Sequence, residues 1–415
     1  MSQLIPLTSL LLGAAFLFIA GGIHGLILPV RGSLEGFSDL SLGLIGTGWA
    51  IGYVLGCISV PRMVARVGHI RPFGVMATAA SLSVLLSSLL VHPWAWISLR
   101  ALAGFAFAGA AMIIESWISE KTNPGSRGKV YGVYTMVNLG SLTAGQLALS
   151  LGSPSGFFFF VLAAIFYNLA LIPTAISSSA TPKPLTRSRL DIGLLWRNSP
   201  VAVVAVFLVG IANSSFNTLG AVFGQQRGLD ITAISIFMSV PIICGALAQI
   251  PTGILSDRVD RRFVLIGGAT VAVAAELVFI VVDSANPVFA IATGALFGAA
   301  IYSLYPVIIA HANDHAEPGD YVRTSGGLLL LFGTGSIFGP LFSGYVMSRI
   351  GPSGLFLTAL GAHMLLIAFT LFRIRRRKPV AGEGKSPFVV SASDGTLTPE
   401  AAALKAEVTK EREEQ

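Results

Sequence analysis

The chain has 415 residues, of which 53% are hydrophobic and only 11% charged, with a mean hydropathy of +0.77. Water-soluble domains carry about 25% charged residues, so this composition excludes an ordinary soluble domain and points to a surface that faces lipid. The formal charge of +7 sits in short loops between apolar runs, which argues topology rather than nucleic-acid binding. Two cysteines, Cys57 and Cys244, each inside an apolar run, argue against a disulfide framework and exclude a cysteine-built metal site.

In chain order, runs near the ~20 apolar residues that a spanning helix needs lie at Leu10–Val30, Leu42–Val60, Pro72–Val91, Ala95–Ile118, Val130–Leu149 and Gly156–Ile176. A second set lies at Val201–Phe223, Ile231–Leu255, Phe263–Val282, Pro287–Ala310, Thr324–Val346 and Gly354–Phe372. The runs are continuous rather than alternating, which predicts helices and not a barrel. The expected fold class is therefore an all-α integral membrane protein of 12 transmembrane helices in two six-helix bundles. The first run lacks a basic start and a small-residue cleavage site, so it reads as a retained helix rather than a signal peptide.

Loop charge sets the expected orientation. With both ends cytoplasmic, the inner loops hold Arg62, Arg66 and Arg71, then Lys121, Arg127 and Lys129, then Lys183, Arg187, Arg189 and Arg197, then Arg258, Arg261, Arg262 and Arg323. A further basic run, Arg373 to Lys378, follows the last span, whereas the outer loops hold only Arg31, Arg227 and Arg349. The expected domains are a bundle over 1–177, a cytoplasmic linker over 178–199, a second bundle over 200–373, and a basic then polar, disordered tail over 374–415.

The halves echo each other. Gly109-Ala110-Ala111 in the fourth span answers Gly298-Ala299-Ala300 in the tenth, and Gly140-Ser141 with Gly145-Gln146 in the fifth answers Gly335-Ser336 with Gly339-Pro340 in the eleventh. Two related halves predict a binding site at their interface near mid-membrane and a rocking motion that opens it to either side.

The strongest local motif, Gly253-Ile254-Leu255-Ser256-Asp257-Arg258-Val259-Asp260-Arg261-Arg262, falls on the loop between spans eight and nine. It reads as a gate. Gly253 lets two helices approach, Asp257 faces the start of span eleven near Arg323-Thr324, and Arg258 pairs with an acid such as Asp314 when the inner side closes. The competing reading is a plain positive-inside loop. The first-half counterpart is degraded, with Pro61 in place of the glycine and Ala65 in place of the aspartate.

Ionised groups inside a span are costly and mark function by default. Arg100 and Glu115 lie fifteen residues apart on the fourth span, within about 60° on one helical face. Glu115 could load and release a proton, while the bland alternative for both is a structural ion pair. Glu276 sits mid-way along the ninth span without an evident purpose. Polar, glycine-broken patches in matching helices mark a binding site: His24 among Gly21, Gly22 and Gly25 in the first span, and Asn213, Ser214, Ser215, Asn217 and Thr218 in the seventh. Tyr302 and Tyr305 on the tenth span, with Trp49 and Tyr53 on the second, offer aromatic walls. The alternative for each is interhelical packing. His311 and His315 have the spacing of a metal pair but read better as a polar helix end, so no metal and no cofactor is expected.

The Gly253–Arg262 loop and the Arg100, Gly104, Gly109 pattern resemble the major facilitator superfamily. The segments Glu115-Ser116, Arg127-Gly128-Lys129, Leu247-Ala248-Gln249-Ile250-Pro251 and Leu304-Tyr305-Pro306-Val307 resemble its bacterial YcaD-like group. That resemblance implies a monomeric secondary carrier of a small organic solute in a bacterial inner membrane, proton-coupled or facilitative. Drug efflux and riboflavin-like vitamin uptake are the neighbouring alternatives. The Gly-Pro motif of drug antiporters is missing from span five, which counts against efflux. A membrane-embedded enzyme would need a clustered nucleophile, base or metal, and a receptor would need a sensory domain, and the sequence suggests neither.

Overall fold

The computed structural model describes residues 7–122, 126–176, 192–282, 285–317, 320–376, 385–386 and 388–389. Most of the expected linker, residues 178–191, and most of the expected tail lie outside them.

The first half holds α1 (Thr8–Leu34), α2 (Asp39–Val67), α3 (Ile70–Leu89), α4 (Pro93–Lys121), α5 (Arg127–Leu147, continued by a 3-10 turn at Ala148–Leu151), α6 (Phe158–Leu169) and α7 (Leu171–Ile176). A short α8 (Ile192–Asn198) forms within the stretch expected as linker. The second half holds α9 (Pro200–Gln226), α10 (Ile231–Arg258), α11 (Arg261–Val281), α12 (Pro287–Asn313), α13 (Tyr321–Ile350) and α14 (Gly354–Ile374). Among the described residues, 10 helices are long and apolar enough to cross a membrane. The remaining two expected spans are α5, the most polar of the long helices, and the pair α6–α7, one apolar run broken at Ala170.

Local chemistry sets the helix starts. Side chains of Ser38, Ser199, Asp230 and Asn286 accept the first free amides of α2, α9, α10 and α12. Gly36 and Gly228 turn the chain after α1 and α9 at φ 76° and 82°, a left-handed geometry that other residues resist. These matching turns are one trace of the internal repeat.

Helix packing gives another. Gly48, Gly52 and Gly56 of α2 lie against the backbone of Ile97, Ala101 and Phe105 of α4, and Gly245, Gly294 and Gly298 bring α10 against α12 in the same parallel sense. Gly22 and Gly145 join α1 to α5, as Gly210 and Gly335 join α9 to α13. Small residues are required because backbone meets backbone at these crossings.

The basic loops α2–α3, α4–α5, α10–α11 and α12–α13 lie at one end of the bundle, called here the basic end. At the opposite end the halves meet. Gly43 of α2 touches Pro340 and Gly344 of α13, Thr47 Oγ1 donates to Ile337 O at 2.9 Å, and Gly333 of α13 packs on Val54. Asp39 Oδ1 accepts from Gln226 Nε2 of α9 at 2.7 Å, and Ser239 of α10 donates to Gln146 Oε1 of α5 at 3.3 Å. The buried apolar side chains divide accordingly. One continuous core fills the first half and crosses into the opposite end of the second, taking in Phe216, Phe237, Phe297, Met347 and Phe356. The basic end of the second half forms a separate cluster around Val206, Leu265, Ile308, Leu328 and Leu366. The halves are thus joined at one end and packed independently at the other.

Candidate functional site

The contact of Gly46 with Thr218 joins α2 to α9 near the closed end. Trp49 and Tyr53 of α2 and Asn217 and Ser214 of α9 follow within two turns toward the basic end, and all four are partly accessible. The Arg100 guanidinium of α4 lies over the Trp49 ring, 4.1 Å from its centroid, in a cation–π contact. Its Nη1 is sealed from solvent and meets no hydrogen-bond acceptor among the described residues. Gly25 of α1 lies beside the other arm, where a Cβ would stand in ordinary contact, 3.7 Å from Arg100 Nη2. On the facing wall Tyr302 of α12 donates to Asn217 Oδ1 at 2.5 Å, and its backbone carbonyl accepts from Gln249 Nε2 at 3.3 Å. The structure therefore brings Arg100, Trp49, Asn217 and Tyr302 to the junction of the halves.

Other candidates sit deeper. His24 of α1 is buried against α6, with Nδ1 3.5 Å from Tyr167 Oη and Nε2 without a hydrogen-bond partner among the described residues. Asn213 is fully buried in the second half, and Tyr305 packs edge-on against Phe332 of α13 at 5.3 Å. Ser214 and Ser215 bond back to Gly210 O and Ile211 O, so their hydroxyls serve α9 itself. Glu115 is 1% exposed and accepts a 2.6 Å bond from Tyr134 Oη of α5. It lies about 22 Å along α4 from Arg100 at 1.5 Å rise per residue, so the two occupy different levels of the bundle.

The gate loop differs from expectation in detail. The acid of α12 pairs with Arg261, not Arg258: Arg261 Nε meets Asp314 Oδ2 at 2.8 Å, and both side chains are almost fully buried. α11 starts at Arg261, which turns that guanidinium inward, while Arg258 ends α10 facing out and exposed. Asp257 accepts from Arg261 Nη1 at 3.1 Å rather than standing at the start of α13, where Arg323 instead pairs with Asp320 at 3.2 Å. Burial pushes the Asp314 carboxyl up from its ordinary range, against the pull of Arg261. Burial would also raise Asp260, but Arg262, bonded to it through Nη2 at 2.7 Å, outweighs that and holds it below the usual carboxylate value. The notch at Gly253 is filled by the ring of Phe388 rather than by another helix. The tail expected as disordered is thus packed at residues 385, 386, 388 and 389.

Glu276 gains a partner that sequence reasoning missed. His363 of α14 bonds Glu276 Oε1 at 2.7 Å, with both side chains inaccessible. Paired mid-span polar residues on the ninth and twelfth spans were the available signal. Tyr134 and Tyr167 were missed for a different reason, as each looks like an ordinary aromatic in an apolar run. His311 and His315 stack edge-on at 4.8 Å, and no group of three candidate metal ligands occurs among the described residues. A surface groove lined by Leu85, Val161, Ile165, Leu169 and Ile172 lies between α3 and α6–α7, away from this chemistry. Its one polar group, Asn168, is already bonded to Ser81 and Ala164 O.

The sequence profile of the Major Facilitator Superfamily matches residues 10–245 and 203–397. The chain belongs to this superfamily. Within it, the chain is similar to the MFS-type transporter YcaD of Salmonella arizonae, with 25% identity over 357 residues, covering 85% of this chain and 91% of the relative. YcaD of Salmonella typhi is 23% identical over 91% of this chain and 98% of its own length. Among solved structures, the nucleoside transporter NupG superposes with a TM-score of 0.78 at 14% identity, covering 90% of this chain and all of that one. A bacterial homolog of the lysosomal transporter Spinster, in an inward-facing and occupied conformation, gives a TM-score of 0.72 at 17% identity over 91% and 97% of the two chains. The facilitator fold and a multi-pass membrane transporter follow. The two-bundle packing described above is that fold, met here with one end joined.

Proposed function

We propose that this facilitator is a secondary carrier of a small organic solute bearing an acidic group, working by alternating access and coupled to protons in a bacterial inner membrane. The observation that carries the substrate class is Arg100. Arg100 is partly accessible within its span, where a guanidinium is costly unless an anion meets it. Its Nη1 meets none among the described residues, and the ring of Trp49 satisfies only one face. A solute carboxylate fits that vacancy in charge and in the planar geometry that arginine recognises. The Asn217–Tyr302 pair on the second half offers polar and aromatic contact to the rest of the solute, so bound solute touches both halves. The joined opposite end and the independent basic end support the alternating-access part.

Lysine and arginine at the basic end support a cytoplasmic position for that end and for both termini. Glu115 is the proton carrier in this reading, because a carboxyl buried within a span and accepting from the Tyr134 hydroxyl can gain or lose a proton while keeping that contact.

Proteoliposome counterflow with mixed labelled organic acids and their neutral amides tests the reading. The acids exchange and the amides do not, Arg100→Gln abolishes exchange, and Glu115→Gln keeps exchange while losing accumulation driven by a pH gradient. Exchange of amides at equal rate in Arg100→Gln refutes the substrate class, and pH-driven accumulation in Glu115→Gln refutes the proton role.

A further inference from the structure

The described part of the C-terminal tail is seated between the halves at the basic end. Lys385 Nζ donates to three carbonyls at the end of α10, Ser256 O and Asp257 O at 3.3 Å and Val259 O at 2.6 Å. These are the orphan acceptors of a helix terminus, where a cation is favoured. Ser386 N–H donates to Asp314 Oδ1 at 2.8 Å, and its carbonyl accepts from Arg261 Nη2. The tail thereby engages both members of the buried gate pair. The Phe388 ring fills the Gly253 notch of α10 and joins the apolar cluster of the second half. Val389 then packs on Tyr131 of α5, in the first half, and both are buried.

α5 and α10 are among the helices that meet at the opposite end, through Gln146 and Ser239. At the basic end the same two helices have the tail between them, with Gly253 on one side and Tyr131 on the other. Closing the basic end requires α5 and α10 to converge there. Phe388 and Val389 occupy the space into which they would move. The geometry points to a built-in brake: Lys385, Ser386, Phe388 and Val389 act as a wedge that holds the basic end open and must leave before the carrier can turn over. The hydrogen bonds of Lys385 and Ser386 are made to the second half, so the wedge stays with that half when released from Tyr131. The inference rests on the alternating-access reading above.

Spin labels at Lys129→Cys on α5 and Leu255→Cys on α10, both exposed, report the separation of these helices in a chain whose Cys57 and Cys244 are serine. Three chains in nanodiscs are compared: full length, full length with Phe388→Asp, and one ending at Lys378. The full-length chain gives a single long distance. Both altered chains add a second, shorter component, and the point variant excludes a folding defect caused by truncation. A control with Gly344→Ala and labels at the opposite end reports whether the halves move at all. Identical Lys129–Leu255 distributions in all three chains, with a responsive control, overturn the wedge and leave alternating access standing. Immobility in every chain, control included, overturns both.

Discussion

Two glycine-to-alanine changes with nearly equal clashes separate a moving interface from a fixed one. A Cβ on Gly344 would lie 2.6 Å from Asp39 O and 3.0 Å from Gly43 Cα, across the seam between the halves. A Cβ on Gly56 would lie 2.7 Å from Phe105 O, inside the first half. Ordinary contact begins near 3.4 Å, so each methyl demands about 0.8 Å of separation. A gap of that size forfeits a quarter to a half of the attraction between the facing atoms, and overpacking costs about 1–3 kcal/mol. Alanine returns about 0.5–1 kcal/mol of helix preference, leaving a net of about 1–2 kcal/mol. At the seam this acts on one conformational state only, and shifts the ratio of joined to separated opposite ends by about 5- to 30-fold. Within the first half it acts on every folded state, and lowers Tm by about 1–2 °C for a chain of 415 residues. Spin labels at Leu34→Cys and Ser348→Cys, both exposed at the opposite end, read the first effect, and thermal unfolding in detergent reads the second. Gly344→Ala adds longer distances, while Gly56→Ala keeps the parent distribution with a lower Tm. If Gly344→Ala lowers Tm and leaves the distances unchanged, the seam is a fixed core contact and the reasoning fails.

Asp260→Asn keeps the capping acceptor of α11 but removes the charge that Arg262 grips. Since the folded value of Asp260 lies below the ordinary one, its stabilisation is present above about pH 4 and fades as pH falls from there through the depressed value. The Tm gap between Asp260→Asn and the parent, worth about 1 kcal/mol at pH 7, should narrow on acidification below pH 4, and a constant gap contradicts the assignment. His363→Leu strands the Glu276 carboxyl in the bundle and should cost about 3–5 kcal/mol, whereas Glu276→Gln keeps an acceptor for the imidazole and should cost about 1 kcal/mol. Equal thermal stabilities for the two variants would show that the pair does not bear on folding.

The spans, their number and the pairing of the halves were legible because each depends on local quantities. Twenty consecutive apolar residues have few other homes than a bilayer. Glycines repeated four apart, as at Gly48, Gly52 and Gly56, mark where helix backbones must touch. The candidacy of Arg100 was also legible, because a charge in an apolar run is expensive wherever it points. That its Nη1 meets no acceptor among the described residues was not, since its surroundings include Gly25 of α1 and Trp49 of α2, far from it in sequence.

Partner choice was decided by tertiary structure throughout. Sequence suggested that an arginine of the gate loop would meet Asp314, but only the phase between the end of α10 and the start of α11 selects Arg261 over Arg258. Glu276 had no visible partner until α11 and α14 were packed together, 87 residues apart in the chain. Likewise the polar composition of the tail is that of a solvated segment, yet Lys385, Ser386 and Phe388 find helix-end carbonyls, a buried ion pair and a glycine notch that exist only once the second half is assembled. Which end of the bundle is joined is the last such property. The same apolar surfaces serve both ends, so composition favours neither, and the difference arises from where the two rigid halves come to rest against each other.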